Sequence, residues 1–520
     1  MKKRAQLPNA QTYTVMFRGL AKSQHPKTAV AEAVKHYNLL LRDTRLEPNT
    51  IHLNAVLNVC ARALDIESMF LIAESVNEGV RSPTSSTYTT IINALRHSTL
   101  HEGKDLPIEQ RNANVVKAVE RCKGLWKEVM QKWSTGKVSI DEELVCSMGR
   151  ILYLSPNRAD KKQITDLMEQ TMGLPNFLKS DNGGSTQNES GQQVQTRDNS
   201  RGPAKRGAYV APGRNTLALI LTMLSSCKET KAGMKYWNII VNQHEVVPDM
   251  DNWLRLLGLC KVGKNSAFAT STVELIPDDL INYRHFRVAM EACERDNINP
   301  NVMTNSDKVI DSMLKRLTLP DMHSLRLHLH VALVSHYQFR KKAAVDGKDE
   351  EAKRDYGKQI ILSLGRLWEP FKILHYHYFK TVKSKNSAEE KVLYNDKREV
   401  IALARHMISA FNKVINEQML PDGDLREIRP VAAKINREIQ GFYADREDRE
   451  PKLRRGVESE MKDKTNEDLE AHEDGADSLD ELQGRGPAPW ITYLSARISK
   501  VKPEEKPRYA GRRGPQRASR

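Results

Sequence analysis

Proline followed by a small polar residue recurs along this chain where helical patterns begin. The pairs are Pro8-Asn9, Pro48-Asn49, Pro83-Thr84, Pro175-Asn176, Pro248-Asp249 and Pro320-Asp321. Proline cannot continue a helix, and the polar residue after it can cap the helix that follows. Several units that begin or end at these pairs hold about 35 residues, enough for two short helices. Because one such hairpin cannot bury its apolar face alone, the sequence predicts an all-α fold, an α-solenoid of stacked antiparallel helical hairpins.

The units between these pairs differ in length in a way that indicates insertions. Thr50 to Thr84 and Glu142 to Asn176 each span 35 residues, whereas Ala10 to Asn49 spans 40 and Ser85 to Asp141 spans 57. We expect the extra residues of the longest unit to follow its first helix. Within the unit from Thr50, the pattern predicts a turn at residues 63–65.

The six cysteines form no CxxC pair, which argues against a zinc site and against a secreted disulfide framework. Cys60, Cys260 and Cys293 each lie eleven residues into a unit, when the unit of Cys293 begins at Tyr283. A small apolar thiol at a recurring helical position suits tight helix packing. The sequence therefore predicts reduced, buried thiols.

The charge balance favours a polyanionic partner. Lys and Arg total 81 against 66 Asp and Glu, a net charge of +15. A cationic surface binds phosphates because each contact releases condensed counterions. Near the end of the chain, residues 458–481 hold eleven acidic and two basic residues, and 497–520 hold nine basic and two acidic residues. These runs suit either an RNA tether or a solvated, disordered tail.

Three stretches resemble the first helix of a pentatricopeptide repeat: QTYTVMFRGL from Gln11, IHLNAVLNVCAR from Ile51 and STYTTIINAL from Ser86. The resemblance is strong over residues 10–141 and weaker over 214–340. It implies a right-handed superhelix of helical hairpins with single-stranded RNA along its concave face. In this family, one base is read per repeat by two or three side chains.

The resemblance also implies which side chains read the bases. The candidate RNA-binding pairs are Thr14 with Asn49, Asn54 with Thr84, and Thr89 with Asp141. The family code suggests adenine, a pyrimidine and guanine in that order. A purely structural alternative stays open for Asn49, Thr84 and Asp141, because such residues also cap helices, an effect of about 1 kcal/mol each.

The later units depart from the pattern at the first reader position, where they carry Cys146, Ala218, Leu254 and Arg287. The second half is therefore interpreted as a scaffold. The predicted domains are an RNA-reading repeat array over 1–176, a flexible linker over 180–207, degenerate repeats over 208–340, a helical region over 341–445 and a largely disordered acidic, then basic tail over 446–520. Long helices are predicted at Glu350 to Leu374 and Glu399 to Met419.

A few readable repeats lead into degenerate helices in this sequence, and in this it resembles fungal mitochondrial pentatricopeptide proteins. Some of those proteins bind the small-subunit ribosomal RNA precursor. The resemblance implies a sequence-selective mitochondrial factor acting in 5′-end maturation of that RNA or in organellar RNA stability, with the small ribosomal subunit as a partner. No mitochondrial presequence precedes the first repeat, and Lys2 to Asn9 resembles the tail of a preceding repeat. We therefore expect the N-terminus to be truncated.

The sequence offers little for catalysis. It has no phosphate-binding GxxxxGK[ST] loop, no GxSxG elbow and no nuclease-like carboxylate cluster. His375 and His377 would lie about 200° apart on a helix, too divergent for one metal. We expect no enzyme activity, no cofactor or metal, and no membrane span. The alternative function is a protein-interaction scaffold or a structural component of the mitochondrial ribosome, although the Trp, Leu-Gly and Tyr marks of tetratricopeptide repeats are absent.

Overall fold

The computed structural model describes residues 8–74, 79–103, 105–179, 209–345, 347–383 and 386–449. These ranges contain helices, turns and loops, and no strand. The chain divides into two compact units, residues 1–263 and 264–520. None of the described helices combines the length and the apolar character needed to cross a membrane.

The first unit is a stack of helical hairpins. Its helices are α1 (Ala10–Leu20), α2 (Pro26–Arg42), α3 (Thr50–Ala63), α4 (Ile66–Ala73), α5 (Ser85–Glu102), α6 (Ile108–Ser134), α7 (Glu142–Leu154), α8 (Arg158–Met172), α9 (Arg214–Ser226), α10 (Thr230–Asn238) and α11 (Met250–Gly263). A short π-helix, Ile239–Gln243, continues α10. From α1 to α9, each odd-numbered helix packs against its hairpin partner and against the next odd-numbered helix. The predicted all-α solenoid of helical hairpins is confirmed.

The hairpin formed by α3 and α4 shows how the sequence makes the turn. Leu64 ends α3 in the left-handed region at φ 58°, and the Asp65 side chain then accepts the backbone N–H of Ser68 at 3.0 Å to cap α4. The predicted turn at 63–65 is confirmed. Leu53, Leu57 and other apolar residues at helical spacing are fully buried in the stack.

The second unit begins as a similar stack and ends in long helices. It contains α12 (Ser266–Leu275), α13 (Tyr283–Arg295), α14 (Val302–Arg316), α15 (Met322–Val334), α16 (Tyr337–Ala343), α17 (Asp349–Tyr376), α18 (Ser387–Asn416) and α19 (Asp424–Arg449), with a π-helix at His377–Thr381. Helices α12 to α15 pack each on the next and on the next but one. Helix α18 packs between α17 and α19 and also against α15.

Some element boundaries differ from the sequence expectation. The extra residues of the third unit mostly lengthen α5 and α6 rather than forming a loop. Helix α18 begins at Ser387 instead of residue 399, because the Asn386 side chain caps it by accepting the Glu389 N–H at 2.8 Å. Burial on α18 begins only at Val400, which is why the apolar pattern concealed its first turns.

Other expectations fall partly outside the described residues. The Pro175-Asn176 pair is not followed directly by a helix. The next described helix is α9, which begins after Gly213. The predicted linker at 180–207 and residues 450–520 of the predicted tail lie outside the described ranges, whereas residues 446–449 belong to α19.

All six cysteines are free and buried, which confirms the prediction of buried, reduced thiols. Cys60, Cys260 and Cys293 occupy equivalent positions on α3, α11 and α13. Burial raises the pKa of the Cys60 thiol to about 12, with a smaller contribution from Asp65. The Cys60 thiol therefore acts as a packing group and stays protonated at neutral pH.

Candidate nucleic-acid interface

The first helices of the hairpins in the first unit, here called the A helices (α1, α3, α5, α7, α9 and α11), begin in one register. Asn9, Asn49, Asp141 and Asp249 each precede an A helix, and their side chains accept a first-turn N–H at 2.8–3.3 Å. The fifth residue after this cap is called the reader position. It is occupied by Thr14, Asn54, Thr89, Cys146, Ala218 and Leu254. Because the A helices pack side by side in register, these positions form a row.

The first predicted pair, Thr14 and Asn49, is linked through neighbours. The Thr14 hydroxyl donates to the Ala10 carbonyl at 3.2 Å. The same carbonyl lies 3.0 Å from His52 Nε2. Asn49 N–H donates to His52 Nδ1 at 3.2 Å, so Nε2 carries the proton and donates to Ala10. The imidazole thus ties the start of α1 to the cap of α3.

The second predicted pair, Asn54 and Thr84, is linked through the Thr87 hydroxyl. The Thr87 hydroxyl donates to Asn54 Oδ1 at 2.7 Å, and Thr84 N–H donates to the Thr87 hydroxyl at 3.1 Å. The amide nitrogen of Asn54 makes no hydrogen bond within the described part of the chain, so it remains able to donate to a ligand.

The third predicted pair, Thr89 and Asp141, lies in one groove. The groove has a volume of about 670 Å³ and runs over α3, α5 and the start of α7. Its lining includes Asn58, Arg62, Thr89, Asn93, His97 and Asp141. The Asp141 side chain caps α7 by accepting the Leu144 N–H at 2.8 Å and is exposed, so its carboxylate can accept further hydrogen bonds.

Helix α5 carries three unpaired polar atoms at helical spacing. Thr89 Oγ1, Asn93 Oδ1 and Arg96 Nε are buried and have no hydrogen-bond partner among the described residues, and Thr89 and Asn93 line the groove. Thr90 and Thr99 on the same helix instead donate to carbonyls four residues earlier, at 2.8 and 2.7 Å. An unpaired buried polar atom costs about 1–3 kcal/mol. Because Thr89 and Asn93 line the groove, they are the unpaired groups nearest to any polar ligand bound there.

Sequence reasoning missed Asn58, Arg62, Asn93 and His97. A signal was available, since Asn58 and Asn93 each follow a reader residue by four positions and so share its helix face. Arg62 forms no ion pair among the described residues. Burial and the neighbouring Arg96 lower the pKa of His97, so its imidazole is neutral at pH 7 and can donate or accept one hydrogen bond.

The residue at the reader position of α7 is buried where α7 packs against α9. Cys146 is fully buried, and its Sγ lies 3.7 Å from the hydroxyl of Thr216 on α9. Glu142 accepts from the Thr216 backbone N–H and hydroxyl at 2.8 and 2.9 Å. A Cβ at Gly213 would come within 2.5 Å of this carboxylate. The fourth unit therefore presents no polar reader.

In the second unit, the reader positions of α13 and α15 hold arginines that form ion pairs within the protein. Arg287, at the reader position of α13, donates to both carboxylate oxygens of Asp321 at 2.9 and 2.6 Å. Arg326, at the reader position of α15, donates to Glu399 of α18 at 2.6 Å. Burial alone would raise the pKa of Asp321, but hydrogen bonds from Arg287 and Ser324 outweigh burial and hold the pKa below its ordinary value of 3.8.

Asp321→Asn tests this ion pair, because Asn still caps α15 but lacks the charge. We expect the free energy of unfolding at pH 7 to fall by about 1–2 kcal/mol. Since the folded pKa of Asp321 is lowered, its stabilisation is present above pH 3.8 and is lost as the pH falls through the folded pKa. Urea titrations over this range should show the two proteins converging in acid.

The matched control is Asp278→Asn, which removes an 84% exposed carboxylate 3.2 Å from Arg316. It should change stability by less than about 0.5 kcal/mol. A difference between Asp321→Asn and wild type that persists in strong acid would contradict the assigned role of the ion pair.

Comparisons with known proteins give structural likeness only. No protein-family model matches the sequence, and no curated protein matches it. Solved structures similar to this chain include the pentatricopeptide repeat protein PPR10 in complex with an 18-nt psaJ RNA element, at 12% identity and a TM-score of 0.30 over 85% of this chain and 60% of PPR10. Another is PPR10 from maize, at 14% identity and a TM-score of 0.22 over 93% and 76%. The chain thus spans about 60% of the RNA-bound PPR10, and likeness at this level assigns no role to any residue here.

Proposed function

We propose that this chain is a single-stranded RNA-binding protein of the pentatricopeptide kind and that the groove over α3, α5 and α7 reads bases. The observation that carries the proposal is that Thr89 and Asn93, each with an unpaired polar atom among the described residues, line one groove with the exposed Asp141. Unstacked bases offer hydrogen-bond donors and acceptors along their Watson–Crick edges. A base bound in the groove could therefore supply the partners that these polar atoms lack.

The third pair matches guanine. A carboxylate only accepts hydrogen bonds, and guanine presents two adjacent donors, N1–H and the N2 amino group. In this proposal Asp141 accepts from both donors, and the Thr89 hydroxyl contacts the neighbouring edge of the base. By the family code, Thr14 with Asn49 would favour adenine and Asn54 with Thr84 a pyrimidine. Three read bases, at about 1–3 kcal/mol each, support only moderate affinity, so further contacts contribute to target binding.

The cellular role in this proposal rests on the sequence resemblance. The chain would act in mitochondria, in 5′-end maturation of the small-subunit ribosomal RNA or in organellar RNA stability, and would bind without catalysing a reaction. Among the described residues no cluster of His, Cys, Asp and Glu is arranged to hold a metal ion. Crosslinking in cells followed by sequencing of the bound RNA would test this role, and recovery of no mitochondrial transcript would contradict it.

A second candidate function applies to the second unit. Arg287 and Arg326 are paired internally, and α18 packs on α15 beside them. These contacts favour a protein-binding scaffold, or a structural role in the mitochondrial ribosome, over base reading in this unit. Purification of a stable protein complex that lacks RNA would favour the scaffold function for the whole chain.

Thr89→Val separates ligand binding from folding. The Thr89 hydroxyl has no hydrogen-bond partner among the residues that the structure describes, so valine should leave stability unchanged or raise it by about 1 kcal/mol. Affinity for an RNA selected by the wild type should fall about tenfold, because the base loses one hydrogen bond. Thermal unfolding and equilibrium binding to the same RNA measure the two effects.

Thr99→Val is the matched control, since the Thr99 hydroxyl on the same helix donates to the Leu95 carbonyl and does not line the groove. It should leave RNA affinity within about twofold of wild type. Equal affinities for Thr89→Val and wild type would exclude Thr89 as a reader.

A further inference from the structure

Two arginines lie on neighbouring A helices, close enough for the charge of Arg150 to act on Arg96. Arg96 lies on α5 and Arg150 on α7, two A helices that pack directly together. Arg150 Nη2 donates to Asn215 Oδ1 at 3.1 Å, and Arg96 Nη2 lies 3.1 Å from His97 Nε2. Neither guanidinium forms an ion pair with any residue in the described ranges.

This arrangement is costly for the protein alone. Arg96 is about half-buried, and burial together with the charge of Arg150 lowers its pKa. Its Nε is buried without a hydrogen-bond partner. Two like charges in partly desolvated surroundings repel each other, and an unpaired N–H adds to the cost. An anion bound by both guanidinium groups would offset their repulsion.

The position of the pair relative to the base readers indicates which anion fits. Arg96 follows Thr89 by seven residues, about 10 Å along one face of α5. His97, next to Arg96, lines the groove. Arg150 follows Cys146 by four residues, so the unit that presents no polar reader contributes a cation on the same face. A nucleotide likewise carries a base edge at one end and a phosphate at the other.

We propose that Arg96 and Arg150 together bind one backbone phosphate of the RNA, next to the nucleotide read by Thr89 and Asp141. This inference rests on the proposed RNA-binding function. The terminal nitrogens of both arginines donate to the non-bridging phosphate oxygens, for which planar guanidinium groups are well shaped. His97 accepts from Arg96 and orients it, while Asn215 orients Arg150.

The test uses the full chain and an RNA selected by the wild-type protein. Arg150→Gln should lower affinity about tenfold and reduce the slope of log K against log salt by about 0.7, the value for one phosphate on a single strand. The preference for guanine at the position read by Thr89 and Asp141 should persist. Arg150→Lys, which keeps the charge, should restore most of the salt slope while recovering affinity only in part.

A chemical test identifies the phosphate itself. RNAs that carry one uncharged methylphosphonate at successive linkages should show one linkage, next to the read guanine, at which wild-type binding falls about tenfold. Arg150→Gln should lose little more at that linkage. Arg121→Gln is the matched control, because Arg121 is an exposed arginine on α6 and does not line the groove; its affinity and salt slope should match wild type.

The outcomes separate this site from the proposed function. Wild-type affinity and an unchanged salt slope in a folded Arg150→Gln protein would overturn the phosphate site and leave RNA binding standing. Competition by an acidic peptide as strong as that by RNA of equal charge would also overturn it, in favour of a protein ligand. If the wild-type chain binds no RNA from a random pool, the proposed function and the phosphate site fall together.

Discussion

Replacing Asp141 with Asn should change the preferred base at one RNA position from guanine to adenine. The Asp141 carboxylate can only accept hydrogen bonds, which suits the two donors of guanine. An amide offers one acceptor and one donor side, which matches the N1 acceptor and the amino group of adenine. The preference should shift by about 1–3 kcal/mol, or about 5–150-fold in relative affinity. Selection from a random RNA pool, followed by sequencing, measures the change.

The substitution is well controlled because Asp141 also caps α7 through the Leu144 N–H. Asn is as good a cap as Asp, so stability should change little. The reciprocal variant Asn49→Asp keeps the cap of α3 and should change the base read with Thr14 from adenine to guanine. If Asp141→Asn weakens binding equally for all four bases, Asp141 is a helix cap and not a base reader.

Phe17→Ala should produce the largest loss of stability among these variants, about 3–5 kcal/mol. Phe17 is fully buried on α1, with ring centroids 6.2 Å from Tyr13 and 6.4 Å from Tyr37. Stability in stacked repeats is close to a sum of neighbouring interfaces. The loss should therefore be local, which hydrogen exchange can show as lost protection in α1 to α3 while α9 to α11 retain theirs.

Val15→Ala provides the control on the same helix, because Val15 is 68% exposed and its truncation should cost less than about 0.5 kcal/mol. The guanine preference at Thr89 and Asp141 should survive in Phe17→Ala, whereas discrimination at Thr14 should weaken. Uniform loss of protection across α1 to α11 would contradict the nearest-neighbour character of the stack.

Much of the fold was predictable because the signals are local. Asn49 before α3 and Asp321 before α15 cap helices that sequence pattern alone located. The turn at Leu64 and the buried Cys60 follow from the same short-range spacing. Where prediction was wrong, as at the start of α18, the helix is held by a cap and by polar turns that carry no apolar stripe.

The candidate site was only partly predictable. Family resemblance singled out Thr89 and Asp141, and the structure places both in one groove. The resemblance could not distinguish Thr14 from Thr89. The Thr14 hydroxyl donates to the Ala10 carbonyl, whereas the Thr89 hydroxyl has no partner among the described residues. Nor could the resemblance reveal that Arg96 lies near Arg150, because no regular spacing relates residues on different hairpins.

The sequence by itself determined that this chain forms stacked helical hairpins and which residue of each A helix takes the reader position. Caps, turns and apolar spacing act within a few residues, so a single sequence records them directly. Only the tertiary structure decided which of those polar groups remain available. Asn54 is bonded by Thr87 and Arg287 by Asp321, while Thr89 stays unpaired. The physical reason is that the partners of Asn54 and Arg287 come from neighbouring parts of the stack, so packing and not local sequence selects them.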